Sequence, residues 1–262
     1  MRRERTAGTR QTTITTMPLT VSANEHGVAV EAASRLTAFV EAAIRTRGSA
    51  VVCLTGGSTP KRLYTLLGDA SAPWRSRIEW PAVHLFWGDE RHVPPDHEDS
   101  NYGMARAALL QHVPVPAAQI HRMRGEVPDA RDAARDYEER LRGGFARAGR
   151  DDLRFDVMLL GLGEDAHVAS IFPGSELLSR QIKARVAAVW ASHLNAWRIT
   201  LTPAALLDAD AILMSVAGAK KMNAVRHALH APLDVPQYPA HLLREAGERV
   251  EWFVDSAAAG AA

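Results

Sequence analysis

A single cysteine, Cys53, occurs in 262 residues. One thiol excludes an internal disulfide and a four-thiolate metal site. Its place inside an apolar stretch fits a buried side chain better than a nucleophile. No run of about 20 apolar residues is present, so no membrane-spanning helix is expected. The first 17 residues are rich in arginine and threonine and lack the apolar centre of a secretory signal. They read as a flexible leader or as residues upstream of the real start. Charge of one sign is also missing: 31 lysines and arginines face 30 acidic residues, a formal charge of +1. That balance argues against bulk attraction to nucleic acid or an anionic membrane and leaves room for a local basic pocket. The stretch from Pro128 to Arg150 reads as an amphipathic helix with a solvated charged face, because no interleaved aromatics offer a stacking platform for bases. There is no fixed-period repeat, no long linker, no P-loop, no dinucleotide glycine fingerprint and no glycine-x-serine-x-glycine elbow. Eleven histidines form no recognisable metal-ligand motif. A cytoplasmic enzyme fits these absences, and so does a cytoplasmic binding protein.

What is present is an alternation of strand, turn and helix signals, the mark of an α/β fold. A chain of this length forms one large domain or two small ones and buries roughly 70–75% of its extended surface. Val28, Ala32, Leu36, Phe39, Val40 and Ala43 recur at helical spacing between Glu25 and Thr46, with Gly48 as a stop. Strands are expected at Ala50–Leu54, Val83–Trp87, Phe155–Leu160, Ile182–Trp190, Arg198–Thr202, Ala211–Ala217 and Val250–Val254. Ser71 to Pro81 reads as a surface connection. Asn101 is placed to cap the helix that carries Tyr102, Ala105, Leu109 and Leu110. Pro203 opens a helix through Leu207, and another lies around Met222–Leu229.

The stretch FDVMLLGLGEDAHVASIFPGS, from Phe155 to Ser175, organises the chain. Its apolar run suits a central parallel strand covered on both faces. Gly161 and Gly163 then allow a tight turn, and Asp165 and His167 follow at the strand's carboxyl end, where open α/β sheets place ligands. A histidine exchanges protons near neutral pH, and a close carboxylate fixes its tautomer. The same residues could equally cap a strand-to-helix turn. Thr55-Gly56-Gly57-Ser58-Thr59-Pro60 offers backbone N–H groups, hydroxyls and a helix start, which suit a phosphate as well as an ordinary cap. Gly88-Asp89-Glu90-Arg91 follows the second strand, and its acids serve either chemistry or structure.

Taken together, the segments Thr55 to Pro60, Gly88 to Arg91 with Ser100-Asn101, Gly161 to His167 with Ala169 to Gly174, Arg198 to Thr202, and Gly218 with Lys221 closely resemble the 6-phosphogluconolactonase family. Their order and joint spacing carry the resemblance. It implies a sugar-phosphate isomerase/deaminase-like α/β fold, with a mostly parallel Rossmann-like sheet flanked by helices, in one domain over residues 18–262. It also implies hydrolysis of 6-phosphogluconolactone to 6-phosphogluconate in the pentose phosphate pathway, with no metal or organic cofactor. Two departures stand out. Ala166 occupies a place usually held by glycine, and would be strained if the backbone there has positive φ. His193 stands where many relatives have lysine, and a neutral histidine supplies less charge. Glucosamine-6-phosphate deaminases share the glycine-rich turns, but their histidine segment continues into an asparagine-glutamate-proline arrangement. This chain instead has Ser170-Ile-Phe-Pro173.

The resemblance assigns roles. His167 takes a proton from the water that attacks the lactone carbonyl, and Asp165 orients the imidazole. Gly56, Gly57, Ser58 and Thr59 hold the substrate, with Arg91, Arg198 and Lys221 as partners for its phosphate or carboxyl group and Asn101 positioning the sugar. The expected partner is a small anionic sugar-phosphate lactone, with no nucleic acid and no membrane, for a monomer or a weak homodimer. A catalytically quiet sugar-phosphate sensor that keeps the pocket is the alternative from another class.

Overall fold

The computed structural model describes residues 17–178 and 182–261. Residues 1–16 of the expected leader lie outside the described residues, while Met17 packs against the core. The first half of the chain runs β1 (Leu19–Ser22), α1 (Glu25–Arg47), β2 (Ala50–Leu54), α2 (Ser58–Gly68), α3 (Pro73–Arg77), β3 (Val83–Trp87), β4 (Asp89–Arg91), α4 (Asn101–Ala105), β5 (Ile120–His121) and α5 (Ala130–Arg147). The second half runs β6 (Phe155–Leu160), β7 (Val186–Ala191), β8 (Ala196–Leu201), α6 (Pro203–Leu207), β9 (Ala209–Val216), α7 (Met222–His230), β10 (Val250–Asp255) and α8 (Ser256–Ala259).

Local chemistry sets the main elements. The Asn24 side chain accepts the Gly27 N–H at the start of α1, and Gly48, at φ +79°, ends it by donating to the Ile44 carbonyl. Between these caps Val28, Ala32, Leu36 and Val40 are buried. Strands β2, β3 and β6 are buried along their whole lengths, as their mainly apolar runs, interrupted only by His84 and Asp156, require of strands covered on both faces. Val52, Leu54, Val157 and Leu159 share a core with α1 and α2, while Val51, Cys53, Met158 and Leu160 share one with Tyr137, Leu141 and Phe145 of α5. Each buried valine or leucine stabilises the fold by about 1.5–3 kcal/mol. Cys53 belongs to this core, and burial pushes its thiol well above the usual pKa.

Seven strands form a parallel sheet in the order β1-β10-β9-β6-β2-β3-β5. The chain builds outward from β2, through β3 on one side and β6 on the other. Their carboxyl ends therefore flank a topological switch point, the crevice where such sheets take ligands.

Four expectations change. Asp89–Arg91 is a strand, not a turn: it pairs antiparallel with β8, which pairs with β7 in a separate three-stranded sheet. Three consecutive charged residues carry no apolar alternation, so the pattern could not show it. The supposed surface connection Ser71–Pro81 contains α3 and buries Ile78 and Trp80. Ser100, not Asn101, caps α4, accepting the Gly103 N–H at 3.0 Å. The strand expected from Ile182 starts at Val186, and it joins β8 through a tight turn with Asn195 at φ +48°.

Candidate active site

Two glycine-rich turns leave the adjacent strands β2 and β6. In the first, Gly57 at φ +111° lets the chain enter α2 and contributes no capping side chain, so the first N–H groups of that helix are left for an anion. Tyr64 fixes the turn from behind: its hydroxyl accepts the Thr55 N–H at 2.9 Å and donates to the Thr55 carbonyl at 2.8 Å. A Cβ on Gly56 would sit 1.9 Å from the Asn101 carboxamide oxygen, so glycine is required for the two segments to meet.

In the second turn the Gly163 N–H donates to the His167 carbonyl at 2.9 Å, and the Ala166 N–H to the Gly163 carbonyl at 3.1 Å. A Cβ on Gly163 would lie 2.0 Å from His167 Nδ1 and 2.5 Å from Asp165 Oδ1. Glycine there makes room for the pair. His167 Nδ1 stands 2.6 Å from Asp165 Oδ1, and the His167 backbone N–H donates to the same oxygen at 3.1 Å. Partial burial works against the Asp165 carboxylate, but the hydrogen bonds from His167 and the adjoining imidazole outweigh it and hold the pKa at about 2. An ionised carboxylate only accepts, so Nδ1 carries the ring proton and Nε2 is the basic atom. Ala166, between them, has φ +63°, the left-handed conformation in which alanine is strained.

Both turns wall one cavity of about 250 Å³. Gly56, Gly57, Ser58, Thr59, Arg91, Asn101, His167 and Lys221 line it, and Asp165 stands behind His167. Arg198 does not line it. It lies directly opposite Arg91 across the β4–β8 pair, and burial together with the Arg91 charge lowers its pKa. Burial also lowers that of Lys221, against the pull of Glu164 and Asp165. Arg91, Arg198 and Lys221 form no ion pair with a described residue. Arg91 and Lys221 line the cavity without a carboxylate in ion-pair contact, an arrangement that suits an anionic ligand.

The two acids after β3 divide their work. Glu90 is buried and accepts the N–H groups of Arg91, Asn101 and Tyr102 at 2.7–2.8 Å and the Ser100 hydroxyl at 3.2 Å. Burial pushes its pKa up to about 7 although these backbone bonds pull it down. It anchors the start of α4 and so places Asn101. Asp89 lines the cavity, its carboxylate accepting the Ser170 hydroxyl at 2.6 Å and the Asn101 amide at 3.3 Å. The sequence left both acids open between chemistry and structure and gave Asp89 no role of its own; its position beside the cavity follows from the fold. Among the described residues no group of three or more His, Cys, Asp or Glu side chains could hold a metal ion, and no helix is long and apolar enough to cross a membrane.

Residues 23–252 match the pattern of the family described as glucosamine-6-phosphate isomerases/6-phosphogluconolactonase. The chain belongs to this family. A 6-phosphogluconolactonase from Nostoc sp. is 39% identical over 219 residues, covering 84% of this chain and 87% of that protein. The solved 6-phosphogluconolactonase of Trypanosoma brucei superposes with a TM-score of 0.81 at 30% identity, over 93% of this chain and 98% of its own. A monomeric glucosamine-6-phosphate deaminase superposes with a TM-score of 0.77 at 19% identity, over 94% of this chain and all of its own, which shows a shared fold alone. The family thus spans two chemistries on one sheet, and the side chains at the switch point have to decide between them.

Proposed function

We propose that this chain hydrolyses 6-phospho-D-glucono-1,5-lactone to 6-phospho-D-gluconate, a step of the pentose phosphate pathway. The observation that carries the reading is His167: its Nδ1 is engaged by Asp165, and its ring stands in the wall of a cavity whose other sides are a helix N-terminus and Lys221. Relatives bearing the lactonase name at 34–39% identity support it.

His167 Nε2 takes a proton from water as the oxygen attacks C1 of the lactone, and the imidazolium is balanced by Asp165. The tetrahedral oxyanion requires donors already in place, which backbone N–H groups of the turns or a basic side chain supply. The ring C–O bond then breaks, and the imidazolium returns its proton to the departing ring oxygen. One water is consumed and no covalent enzyme intermediate forms. The N-terminal turn of α2 receives the phosphate, with Arg91, Arg198 and Lys221 setting the positive field around it. Asn101, held between Gly56 and Asp89, positions the sugar.

The test is turnover of freshly generated 6-phosphogluconolactone, corrected for spontaneous opening, with glucosamine 6-phosphate run alongside. His167→Ala is expected to lose roughly 100-fold or more in kcat while still binding 6-phosphogluconate. Unchanged hydrolysis in that variant would remove His167 from the chemistry. Deamination without lactone turnover would reverse the assignment, and binding without either would favour the sensor.

A further inference from the structure

The Asp165 contact pins one corner of the His167 imidazole and leaves the ring free to turn about that hydrogen bond. A second contact closes off this freedom. The Phe172 ring lies 4.6 Å from the His167 ring, centroid to centroid, at 54°. The His193 ring then backs Phe172, the two crossing at 72° with centroids 4.7 Å apart. His193 sits in the turn of the β7–β8 hairpin, where Asn195, at φ +48°, donates its N–H to the Ser192 carbonyl at 3.2 Å. The small antiparallel sheet therefore reaches the Gly161–His167 turn through a row of three rings. Phe172 does not line the cavity, so whatever it does for the reaction passes through His167.

We infer that Phe172, backed by His193, is a positioning residue that holds the imidazole in its reactive orientation. This rests on the reading of His167 as the base. Three physical effects act together. Aromatic pairs prefer tilted and edge-to-face arrangements at this separation, so swinging the imidazole away loses a favourable contact. Attack geometry tolerates little misplacement, so a ring that wanders spends less time with Nε2 aimed at the water. A π system close to the imidazole also attracts the positive charge that forms on it as water is deprotonated, an interaction absent from the neutral ground state. An effect of that kind appears in kcat and not in KM.

Steady-state kinetics of Phe172→Leu, Phe172→Tyr and His193→Ala, beside wild type and His167→Ala, test the inference. Phe172→Leu keeps an apolar side chain without a ring and is expected to lower kcat about 5- to 10-fold, with KM within about twofold. Phe172→Tyr retains the ring and is expected to restore kcat to within about twofold of wild type. His193→Ala, an exposed substitution, is expected to lower kcat about 2- to 3-fold and carries the test if Phe172→Leu does not fold. NMR of the His167 ring gives a readout independent of turnover: its signals are sharp in wild type and broaden in Phe172→Leu as the ring turns about the Asp165 hydrogen bond, while the Nδ1–H tautomer persists in both. Wild-type kcat in both Phe172→Leu and His193→Ala would overturn the inference. So would equal losses in the leucine and tyrosine variants accompanied by a lower melting temperature, since that marks a packing defect. If His167→Ala itself keeps full activity, the base assignment fails instead, and the two failures are told apart.

Discussion

The two ends of the parallel sheet follow opposite rules. Around the amino ends of β2, β6 and β9 charges are matched. Arg47 and Arg150 converge on Asp156, which is 2% exposed and also accepts the Val51 N–H at 2.6 Å. Arg154 reaches Asp208 and Asp210, and Arg185 reaches Asp208. At the carboxyl ends Arg91, Arg198 and Lys221 have no ion-pair partner among the described residues, and Ala166 and Ala169 hold positive φ. Unmatched charge and strained backbone cost stability, and they persist where the surrounding structure over-determines them. One end of the sheet fixes the strands through ion pairs, while the other leaves Arg91, Arg198 and Lys221 outside them.

The largest expected effect that would break this contrast lies at the matched end. Asp156→Ala strands two guanidiniums, of which Arg150 is nearly buried, and is expected to cost about 3–5 kcal/mol in urea denaturation while the folded enzyme keeps its kcat. A stability equal to wild type would show that the amino ends do not carry the fold. At the open end Asp165→Asn should do the reverse. The amide cannot hold the Nδ1–H tautomer as the carboxylate does, so kcat is expected to fall roughly 100-fold, with unfolding free energy changed by less than about 1 kcal/mol because the pair is half exposed. A loss of stability without loss of rate would turn the contrast around.

A pH titration sharpens the comparison from the matched side. His84, near the amino end of β3, and His121 of β5 are buried with ring nitrogens 3.1 Å apart, and the Arg147 guanidinium is 3.4 Å from His121. Burial lowers the pKa of His84; burial, followed by the charges of His84, Arg147 and Arg140, drops that of His121 to about 3. The unfolded chain, with histidines near 6.5, binds more protons than the folded one between these values. The pair's contribution is therefore complete above pH about 6.5 and is lost as pH falls toward about 3. The urea midpoint is expected to be lower at pH 5 than at pH 7, with a flatter slope in His121→Gln. A midpoint that does not move between those pH values would contradict it.

The smallest expected effect is at Ala166. Replacement by glycine relieves about 1–2 kcal/mol of left-handed strain but gives up about 0.8 kcal/mol for a buried methyl and about 0.4–1 kcal/mol in unfolded-chain entropy. The terms nearly cancel, and a melting temperature for Ala166→Gly within about 2 °C of wild type is expected. A large gain would mean that strain at the open end is costlier than the contrast assumes. The near-balance explains how alanine is accommodated where glycine would be the easier residue.

Much of the fold was readable in the chain because its signals are local. The strand Phe155–Leu160, the stop at Gly48 and the helix opened by Pro203 depend on residues within a few positions of one another. The site was readable for the same reason wherever a turn follows a buried strand, as at Gly56 to Thr59 and Asp165 to His167. Reading failed where the partner is distant. Strand β4 exists only through its pairing with β8, more than 100 residues on, and nothing in Asp-Glu-Arg announces it. Glu90 and Asp89 are neighbours of the same charge, yet one is locked among four donors and the other faces the cavity. Side-chain direction in a strand alternates, so adjacent residues part company once the sheet forms.

The sequence by itself determined the alternation of strands and helices, the two glycine turns and the chemical groups available at them, since backbone propensity and periodicity act over short stretches. The tertiary structure alone decided that β2 and β6 are neighbours, that Arg198 stands opposite Arg91 instead of lining the cavity, and that Phe172 and His193 back the imidazole. Those outcomes depend on which distant surfaces bury each other, and a contact between remote residues leaves no mark in either local sequence.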